Sequence, residues 1–440
     1  MKKIIELITD FKKKSVLVIG DIMLDQYTFG EISRISPEAP VPIVLKTKED
    51  TFVLGGAANV ASNIVSLGAK SWLVGIVGDD QRKEIIMKLL KEKGINSEGL
   101  ITVKERPTTL KNRIVADNFH QVLRFDDEKV ATLAGDEEKR IIDYVSKIIS
   151  GVDVVILSDY AKGLFSTALT KKIIEIAKKN KKIIIADTKP ANARYFKGVD
   201  LISPNLKEAA EMTGKEDFKD AGKILAREFN TNVFITLGSN GIAGFLKNEK
   251  SFHIPARKVK VFDVSGAGDT VVAVVALSLA SNFSLEEAAT LACKAGTIVV
   301  QKPGTATLTA EELESVSNNL VRNVEDVPVV PKLWGYEKWL ENNDKYCCKL
   351  LALNKGYQCS LHYHNDKDEM FYISKGHVRL ESDGKISHMR EGDYQRIKPG
   401  TKHRFRGIED SVIIEVSTHH EDSDSIRIEE SKKVEDESKN

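Results

Sequence analysis

The feature that most constrains the fold is a change in the pattern of apolar residues along the chain. From Ser15 to about Val300, short runs of apolar, mostly β-branched residues alternate with longer amphipathic stretches. Continuous apolar strands separated by helices predict a parallel sheet with helices on both faces, and such sheets bind ligands at the carboxyl ends of their strands. From Tyr346 to Val416, short strands follow one another through glycine-containing turns. This second pattern predicts a small all-β domain.

A segment with two prolines around Val327 separates the two patterns and sets the predicted boundary. We therefore predict an α/β domain, an all-β domain and a charged tail, at residues 1–325, 326–420 and 421–440. The composition of the tail predicts disorder. Two stretches of the first domain, 27–53 and 101–126, carry short strands, prolines and charges. We expect these stretches to form a lid over the ligand site.

The composition excludes some classes of partner. A formal net charge of +1 over 440 residues gives the chain no overall attraction to nucleic acid or to a membrane surface. No apolar run reaches the ~20 residues that a membrane helix requires, and residues 1–14 lack the apolar core of a secretory signal. The four cysteines show neither metal-site spacing nor the density of a disulfide scaffold. We expect a cytoplasmic protein that binds neither nucleic acid nor membrane.

The most informative motif is Asp263-Val-Ser-Gly-Ala-Gly-Asp269, which a small, apolar helix follows at once. Gly266, Ala267 and Gly268 allow the backbone to approach an anion, and their N–H groups would point from a helix N-terminus at a phosphate. A carboxylate at Asp269 is then placed to take a proton from an attacking hydroxyl group. Alone, the stretch could equally be a glycine-rich turn that starts a helix.

Further motifs decide between these interpretations. DVSGAGD resembles the second signature of the ribokinase-like carbohydrate kinases, GDIMLD resembles the first sugar-binding turn of that family, and GGAAN resembles its glycine pair and sugar-contacting asparagine. PNLKE and TLGSNG resemble its N-x-x-E motif and its nucleotide-side turn. The resemblance implies a ribokinase-like parallel sheet with a small β lid and an ATP-dependent sugar kinase.

The resemblance also implies roles for individual residues. It implies a base and an oxyanion turn at Asp269, Gly266, Ala267 and Gly268. It implies sugar contacts from Asp21, Asp25, Gly55, Gly56 and Asn59. Two residues would organise the Mg²⁺ ion that bridges the phosphates of ATP, namely Asn205 and Glu208. Three residues of the nucleotide-side turn would lie near ATP, namely Thr236, Gly238 and Gly241. A monovalent-cation position of some relatives matches Asp263.

Three longer strings narrow the choice of sugar. Residues 20–27, 33–42 and 158–163 resemble the kinases that phosphorylate D-glycero-β-D-manno-heptose 7-phosphate at C1 to the 1,7-bisphosphate, on the route to ADP-heptose and the lipopolysaccharide core. A substrate that already carries a phosphate needs fixed cations. The candidates are Arg34, Arg124, Lys162 and Lys189. Each could also be a solvated surface charge, and a second hypothesis gives the kinase another sugar or sugar phosphate as acceptor.

The all-β region carries a metal-binding pattern. Residues 356–376 resemble the first motif of the cupins, and residues 392–403 resemble the second. The resemblance implies an all-β cupin barrel that holds a divalent transition metal through His362, His364, Glu369 and His403. In His-Tyr-His, the period of a strand turns both imidazoles toward one face. A barrel with an empty or degenerate metal site is the alternative.

The strings that flank the cupin motifs point to a ligand class. PKLWGY and EDSDSIR resemble the cupins of sugar-phosphate isomerases of the mannose-6-phosphate type. This resemblance implies either an aldose–ketose isomerase or a regulatory domain that binds a sugar phosphate without catalysis. Nothing after residue 327 resembles the adenylyltransferase domain to which related kinases are often fused. The kinase resemblance further implies a homodimer that is joined through the lid strands.

Overall fold

A computed structural model describes residues 9–116, 120–133, 135–318 and 324–434. The chain divides into two compact units, residues 1–319 and 320–440. Within the described ranges, no helix combines the length and the apolarity that crossing a membrane requires.

The first unit alternates strands and helices. Its strands are β1 (Ser15–Gly20), β2 (Ile22–Ile35), β3 (Pro42–Lys46), β4 (Thr51–Gly56), β5 (Lys70–Val77), β6 (Asn96–Thr102), β7 (Thr109–Ala116), β8 (His120–Asp127), β9 (Val154–Ser158), β10 (Ile183–Asp187), β11 (Leu201–Ile202), β12 (Asn232–Thr236), β13 (Ile242–Phe245) and β14 (Ser251–Ile254). Its α-helices are α1 (Ala57–Ser66), α2 (Gln81–Lys93), α3 (Gly135–Ile148), α4 (Thr167–Lys179), α5 (Leu206–Thr213), α6 (Phe218–Phe229), α7 (Ala267–Ala280), α8 (Leu285–Val299) and α9 (Ala310–Asn318). Short 3₁₀ helices lie at Ile149–Gly151, Pro190–Phe196 and Gly238–Asn240.

The main sheet runs in the order β14-β13-β12-β11-β10-β9-β1-β5-β6. It is parallel from β6 to β12, and the hairpin strands β13 and β14 are antiparallel. Residues of β1 alternate between two apolar cores, one with helices α1, α2, α7 and α8 and the other with α3, α4 and α6. The predicted parallel sheet with helices on both faces is therefore confirmed, and it brings the carboxyl ends of β1 and β9 to β12 to one edge.

Helix ends follow local signals in the sequence. Asp80 accepts a hydrogen bond from the N–H of Lys83 at the start of α2, and Gly94 ends that helix with φ 72°. Ser284 and Glu287 form a reciprocal capping box at the start of α8. These contacts satisfy N–H groups that have no partner within a helix.

The two stretches that were predicted to carry short strands form a separate sheet. Strand β2 pairs with β3 and β4 in antiparallel and with β7 in parallel orientation, and β8 extends the sheet beyond β7. We call this sheet the lid. Large apolar side chains of its outer part are exposed, namely Ile35, Val41, Leu45, Leu123 and Phe125.

The second unit consists of two facing sheets. Its strands are β15 (Val329–Lys332), β16 (Gly335–Asn342), β17 (Cys347–Leu353), β18 (Tyr357–Gln358), β19 (Leu361–His364), β20 (Glu369–Lys375), β21 (His377–Ser382), β22 (Lys385–Arg390), β23 (Tyr394–Ile397), β24 (His403–Gly407), β25 (Ser411–Ser417), β26 (Ser425–Glu429) and β27 (Lys432–Lys433), with 3₁₀ turns at Val324–Asp326 and Asp422–Asp424. One sheet has the order β15-β16-β17-β25-β20-β23, and the other contains β22-β21-β24-β18-β27 with β19 and β26. Alternate residues of both sheets form the core between them. The predicted all-β barrel is confirmed.

The prediction of disorder in the charged tail is wrong for most of its described part. Strand β26 pairs with β19, and β27 pairs with β18. Strands β18 and β19 would otherwise expose unpaired backbone groups, and a charged segment can satisfy them because pairing uses the backbone. Composition alone does not detect that need. Residues 435–440 of the predicted tail lie outside the described residues.

Candidate active site and metal centre

A cavity of about 120 Å³ lies at the carboxyl ends of the central strands. Its lining includes Tyr160, Asp187, Lys189, Asn205, Glu208, Thr236, Gly266, Gly268 and Asp269. A larger hollow of about 360 Å³, beside Lys223 and Arg227, lies at the other end of the β12–β13 hairpin and contains none of the sequence motifs. Because ligands of parallel sheets bind at the carboxyl ends of the strands, the smaller cavity is the candidate active site.

The carboxylate of Asp269 is the centre of this site. Its side chain is buried in the first turn of α7. Asn59 Nδ2 donates to Asp269 Oδ2 at 2.6 Å, and Tyr160 Oη donates to Oδ1 at 2.5 Å. Burial raises the pKa of Asp269 to about 6, although both hydrogen bonds oppose that rise. Such a group accepts protons near neutral pH, as a general base must.

The glycine turn before Asp269 brings these groups together. Gly266 has φ 76°, and a Cβ atom there would lie 2.7 Å from Asn59 Nδ2. A side chain would therefore strain the backbone and displace the asparagine from Asp269. Gly268 borders the cavity and would meet no heavy atom within 4 Å. The N–H of Ala267 differs from the expectation, because it donates to the carbonyl of Val264 at 3.2 Å.

Asp25 lies on β2 and faces the same region. Arg113 Nη1 donates to Asp25 Oδ1 at 2.8 Å, and Thr305 Oγ1 donates to Oδ2 at 3.1 Å. A Cβ atom on Gly55 would lie 2.9 Å from that second oxygen, so the glycine allows strand β4 to pass close to Asp25. Gly56, at φ 58°, begins α1 and directs Asn59 toward Asp269. These predicted sugar-side residues therefore lie around one corner of the site.

Asp21 holds the loop that follows β9. Both of its carboxylate oxygens accept backbone N–H groups of the loop after β9, from Tyr160 at 2.8 Å, Lys162 at 3.1 Å and Leu164 at 3.4 Å. The side chain is 1% exposed. Asp21 therefore holds this loop in place, and its contact with the sugar stays a prediction.

The predicted magnesium residues cap a helix. Asn205 and Glu208 form a reciprocal capping box at the start of α5, and the second carboxylate oxygen of Glu208 accepts from Lys189 Nζ. Both residues also border the cavity. Asp187 joins them there, and burial raises its pKa to about 8, with Asp269 and Glu208 contributing. The nucleotide side of the cavity is therefore rich in carboxylates.

The residues of the nucleotide-side turn separate into two groups. Thr236 borders the cavity, whereas Gly238 and Gly241 do not. Gly241 has φ 92°, and a Cβ atom there would lie 2.0 Å from the carbonyl oxygen of Ile254, so the glycine allows the hairpin to close. Asp263 accepts from the N–H groups of Ser265 at 2.8 Å and Gly304 at 3.1 Å. It fixes the loop that carries Thr305.

The residues that were predicted to supply positive charge lie at different distances from the site. Arg34 is exposed near the outer end of β2, nine residues from Asp25, which corresponds to about 30 Å of extended strand. Within one subunit, the long strand carries Arg34 away from the cavity, and its contact with the substrate stays a prediction. Lys162 lies in the loop after β9 and pairs with Glu128 at 2.6 Å, and Arg124 pairs with Asp126 at 2.9 Å.

Sequence reasoning missed several groups of the site. Tyr160, Asp187 and Arg113 all contact or border it, and Lys111 lies beside Asp25 in the β2–β7 register. Tyr160 stands within the string SDYAKG, which was a signal for it. Lys111 and Arg113 gave no local signal, because the parallel pairing of β2 with β7 joins segments more than eighty residues apart.

In the second unit, three histidines gather around Glu369. The ring centroids of His362 and His403 are 4.6 Å apart, and those of His362 and His364 are 5.2 Å apart. Each Nδ1 faces a backbone carbonyl, that of Ser360, Asp424 or Thr401, at 2.9 to 3.2 Å. A carbonyl can only accept, so each Nδ1 carries a proton, and a neutral ring then has its lone pair on Nε2.

Two of these atoms need a proton or a metal ion between them. Glu369 Oε2 and His403 Nε2 lie 3.1 Å apart, are buried and have no hydrogen-bond partner in the described structure. Two facing acceptors repel unless a positive group joins them. Burial lowers the pKa of His362 to about 4, so that imidazole stays neutral at pH 7. Neutral imidazoles and a carboxylate are the donor set of a divalent transition metal.

The side chains of this cluster do not converge on one metal position. Among the described residues, no group of three or more His, Cys, Asp or Glu side chains meets the geometry of a metal site. Lys367, which is 3% exposed, donates to Glu369 Oε1 at 2.8 Å and pairs with Glu415. The types of donor atom in the cluster therefore suit a divalent metal, whereas the positions of the side chains do not form a metal site.

Comparison with known proteins assigns the first unit. Residues 13–312 match the pfkB family of carbohydrate kinases, and residues 349–417 match the cupin domain. The chain belongs to the pfkB family of carbohydrate kinases. The prediction of an ATP-dependent carbohydrate kinase is thereby confirmed at the level of the family, and the second unit is consistent with a cupin.

Curated relatives of this pfkB-family chain include proteins named bifunctional protein HldE. The protein of Helicobacter pylori strain J99 is 37% identical over 397 residues, which are 87% of this chain and 82% of that protein. The protein of Desulfatibacillum aliphaticivorans is 41% identical over 312 residues, or 69% of this chain. The match spans 63% of that relative, less than two thirds of its length.

Solved structures share the fold of the pfkB-type unit. Phosphofructokinase-2 of Escherichia coli, in complex with substrates and products, has a TM-score of 0.58 and 24% identity, covering 70% of this chain and 99% of its own. Ribokinase of Arabidopsis thaliana, complexed with ribose and ATP, has a TM-score of 0.55 and 20% identity, covering 69% and 98%. At this level of identity, the likeness concerns the fold alone.

Proposed function

We propose that the pfkB-type unit transfers the γ-phosphoryl group of ATP to the anomeric hydroxyl of D-glycero-β-D-manno-heptose 7-phosphate and so forms the 1,7-bisphosphate. The observation that carries the proposal is the buried carboxylate of Asp269, which borders the cavity at the start of α7. The three heptose-kinase strings and the likeness to HldE proteins support the choice of sugar. A kinase for another sugar or sugar phosphate is the alternative.

In this proposal Asp269 acts as the base. One of its oxygens takes the proton of the sugar hydroxyl while that hydroxyl oxygen forms a bond to the γ-phosphorus. The bond from the γ-phosphorus to the bridging oxygen breaks, and ADP leaves with the electron pair. In the first turn of α7, the N–H groups of Gly268 and Asp269 have no acceptor within the helix and would stabilise the charge on the transferred group. Asn59 holds the base in position at 2.6 Å.

Asn205 and Glu208 are the residues that would organise magnesium. Their oxygens border the cavity, and oxygen ligands suit this ion. Magnesium, when bound with ATP, offsets the charge of the β- and γ-phosphates. In the described state, Glu208 is paired with Lys189, which supplies the positive charge on this side. Asp263 stays a candidate for a monovalent-cation position.

The phosphate at C7 needs a second group of cations, and we infer that Lys111 leads it. Burial lowers the pKa of Lys111, and the nearby charges of Lys162 and Arg124 lower it further while Asp25 opposes them. Lys111, Lys162 and Arg124 lie in one region, and an anion bound between them would reduce the repulsion among their charges. Lys162 and Arg124 are already paired with Glu128 and Asp126, so a substrate phosphate would gain most from Lys111, which supports a phosphorylated substrate.

For the second unit, we infer a metal-dependent cupin that acts on or binds a sugar phosphate. The three oriented imidazoles and the facing Glu369–His403 pair support the metal. A bound divalent metal polarises carbonyl and hydroxyl oxygens, as aldose–ketose isomerisation requires. The flanking resemblance to isomerase cupins supports this reaction, and a regulatory domain without catalysis is the alternative.

We also infer a homodimer that is joined through the lid. Leu45 and Phe125 are 54% and 57% exposed, beside other apolar residues of the lid. Exposed apolar side chains that cluster on one sheet gain from burial against a partner. The position of Arg34 on the outer part of β2 agrees with a role at such an interface.

The base is tested by Asp269→Asn, which keeps the shape of the side chain and removes its basicity. We expect kcat to fall on the order of 10²–10⁴-fold with ATP affinity nearly unchanged. In the unmodified protein, kcat should fall as the pH drops below about 6, because protonated Asp269 cannot accept a proton. Rates of ADP formation over a pH series measure both. Normal turnover of Asp269→Asn would contradict the assignment, and Asp143→Asn on the exposed face of α3 is the control.

The phosphate subsite is tested by Lys111→Met, which removes the charge and retains most of the chain length. We expect kcat/KM for heptose 7-phosphate to fall roughly tenfold to a hundredfold. The value for unphosphorylated heptose should change little. Lys91→Met, at an exposed end of α2, is the matched control. An equal loss for both sugars would show that Lys111 does not read the phosphate.

The metal centre is tested by His362→Ala and His403→Ala in the full-length protein. We expect the unmodified protein to retain about one divalent transition-metal ion per chain after dialysis, and each variant to bind it more than about tenfold more weakly. Elemental analysis and titration measure this loss, and His388→Ala, outside the cluster, is the control. Equal metal retention in all variants would contradict the site.

The same variants separate the two functions of the cupin. If it is an isomerase, loss of the metal abolishes sugar-phosphate isomerisation and leaves the kinase rate unchanged. If it is a regulatory domain, loss of the metal changes how the kinase rate responds to added sugar phosphates, and no isomerisation is present in the unmodified protein.

The dimer is tested by Leu45→Asp. A buried charge at an apolar interface is costly, so we expect the variant to sediment at the mass of one chain while the unmodified protein sediments at twice that mass. Ile386→Asp, at an exposed position of the second unit, controls for the added charge. A single-chain mass for the unmodified protein would overturn the proposal.

A further inference from the structure

The hydroxyl group of Tyr160 lies directly on the proposed base. Its Oη donates to Asp269 Oδ1 at 2.5 Å, while Asn59 occupies Oδ2. Burial, followed by the charge of Asp269, raises the pKa of Tyr160 well above its usual value of 10.0. The phenol therefore stays protonated and can only donate to the carboxylate. In the state without sugar, both oxygens of Asp269 are engaged by the protein's own donors.

The loop that carries Tyr160 is fixed from two sides. Asp21 accepts the N–H groups of Tyr160 and Lys162, and Asp159 accepts those of Ala161 at 2.8 Å and Lys189 at 3.1 Å. Ala161 has φ 55°, a conformation that is strained for a residue other than glycine. Two buried carboxylates thus hold the tyrosine in one place.

The ring of Tyr160 also lies between two parts of the site. Lys111 Nζ from the lid is 5.4 Å from the ring centroid, and Lys189 Nζ from the nucleotide side is 5.3 Å from it. Both distances are within the range of cation–π attraction. The hydroxyl group is therefore held where the sugar-binding and nucleotide-binding groups meet, which is where the acceptor hydroxyl must reach Asp269.

We propose that Tyr160 is a positioning residue that caps the base, so that Asp269 does not activate water before the sugar hydroxyl arrives. This inference rests on the proposed role of Asp269 as the base. A carboxylate oxygen has room for a second hydrogen bond, so the sugar hydroxyl can add to the arrangement. A mobile water molecule lacks the contacts that hold the sugar, so it competes poorly with Tyr160 and Asn59 for the carboxylate.

The reaction that the cap suppresses is hydrolysis of ATP. In it, a water oxygen forms a bond to the γ-phosphorus, the bond to the bridging oxygen breaks, and ADP leaves with the electron pair. One proton of the water passes to Asp269 and then to solvent. The products are ADP and inorganic phosphate, and no other reactant is needed. An exposed base beside bound ATP would promote this loss in the absence of sugar.

The test is Tyr160→Phe, which keeps the ring between the two lysines and removes the hydroxyl. We expect the ratio of sugar-independent ATP hydrolysis to sugar phosphorylation to rise roughly tenfold or more, because a positioned base contributes on the order of 10²–10⁴-fold. Phosphate release without sugar and ADP formation with sugar measure this ratio. Tyr144→Phe, which removes another partly buried hydroxyl that donates to Asn96, should leave the ratio unchanged.

A second readout is the pH profile of the sugar reaction. Asp269 faces Tyr160, Asn59, Asp25 and Lys189, and Asp187 lies near enough to interact with it. Of these groups, the substitution changes only the donor at Oδ1. The tyrosine hydrogen bond lowers the pKa of Asp269, so the acid limb of kcat should move to higher pH in Tyr160→Phe. A role in loop structure alone would lower both rates without this shift.

The outcomes separate the two proposals. An unchanged ratio in Tyr160→Phe, with Asp269→Asn inactive, overturns the cap and leaves the base in place. If Asp269→Asn is active, the base and the cap fail together. The double variant Tyr160→Phe/Asp269→Asn should lose the added hydrolysis, and hydrolysis that persists there would show that water is not activated by Asp269. Equal thermal unfolding midpoints for the unmodified protein and the single variants confirm that the fold is retained.

Discussion

The burial of one carboxylate organises the α/β unit. Helix α7 is apolar and buried along most of its length, and Asp269 in its first turn is the charged group that this helix brings into the interior. A buried carboxylate is costly unless donors reach it. Asn59 and Tyr160, 210 and 109 residues away in sequence, supply them. Burial raises the pKa of Asp269, and these two hydrogen bonds lower it, so the carboxylate is stabilised inside the fold only when α1, the loop after β9 and α7 are all in place.

Site residues could be predicted from the sequence where a short motif fixes their geometry, and could not where pairing of distant strands brings them to the site. Asp269, Asn59 and the glycines beside them lie in short motifs whose geometry is set by a turn and a helix start, and the structure brings them together. Lys111 and Arg113 enter the site through the pairing of β2 with β7, a register that no local pattern encodes. Arg34 lies in a suggestive string, but the fourteen-residue strand β2 carries it outward. Motifs predict residues at turns better than residues on long strands.

Asp21 and the charged tail show a second limit of sequence reasoning. A carboxylate at Asp21 suggested ligand contact, and the charges of the tail suggested exposure. In the structure, both instead provide hydrogen-bond partners for backbone groups. Asp21 satisfies three N–H groups of the Tyr160 loop. Strand β26 completes the edge of β19, and Asp424 beside it accepts from Nδ1 of His364 through its carbonyl oxygen. The tail therefore takes part in orienting the proposed metal ligand, because a buried imidazole with a free Nδ1–H is as costly as any other unpaired donor.

Both sites contain a buried carboxylate that must be stabilised, and they stabilise it in different ways. In the α/β unit, the neutral donors Asn59 and Tyr160 stabilise the ionised form of Asp269 without a metal ion on it. In the barrel, Nε2 of His364 lies 3.5 Å and Nε2 of His403 lies 3.1 Å from Glu369, and this carboxylate already accepts from Lys367 through one oxygen. Acceptors that face one another in a buried place are stable only when a cation joins them. The ammonium group of Lys367 satisfies one oxygen of Glu369, and the other oxygen faces His403 Nε2, where a proton or a metal ion would stabilise the pair.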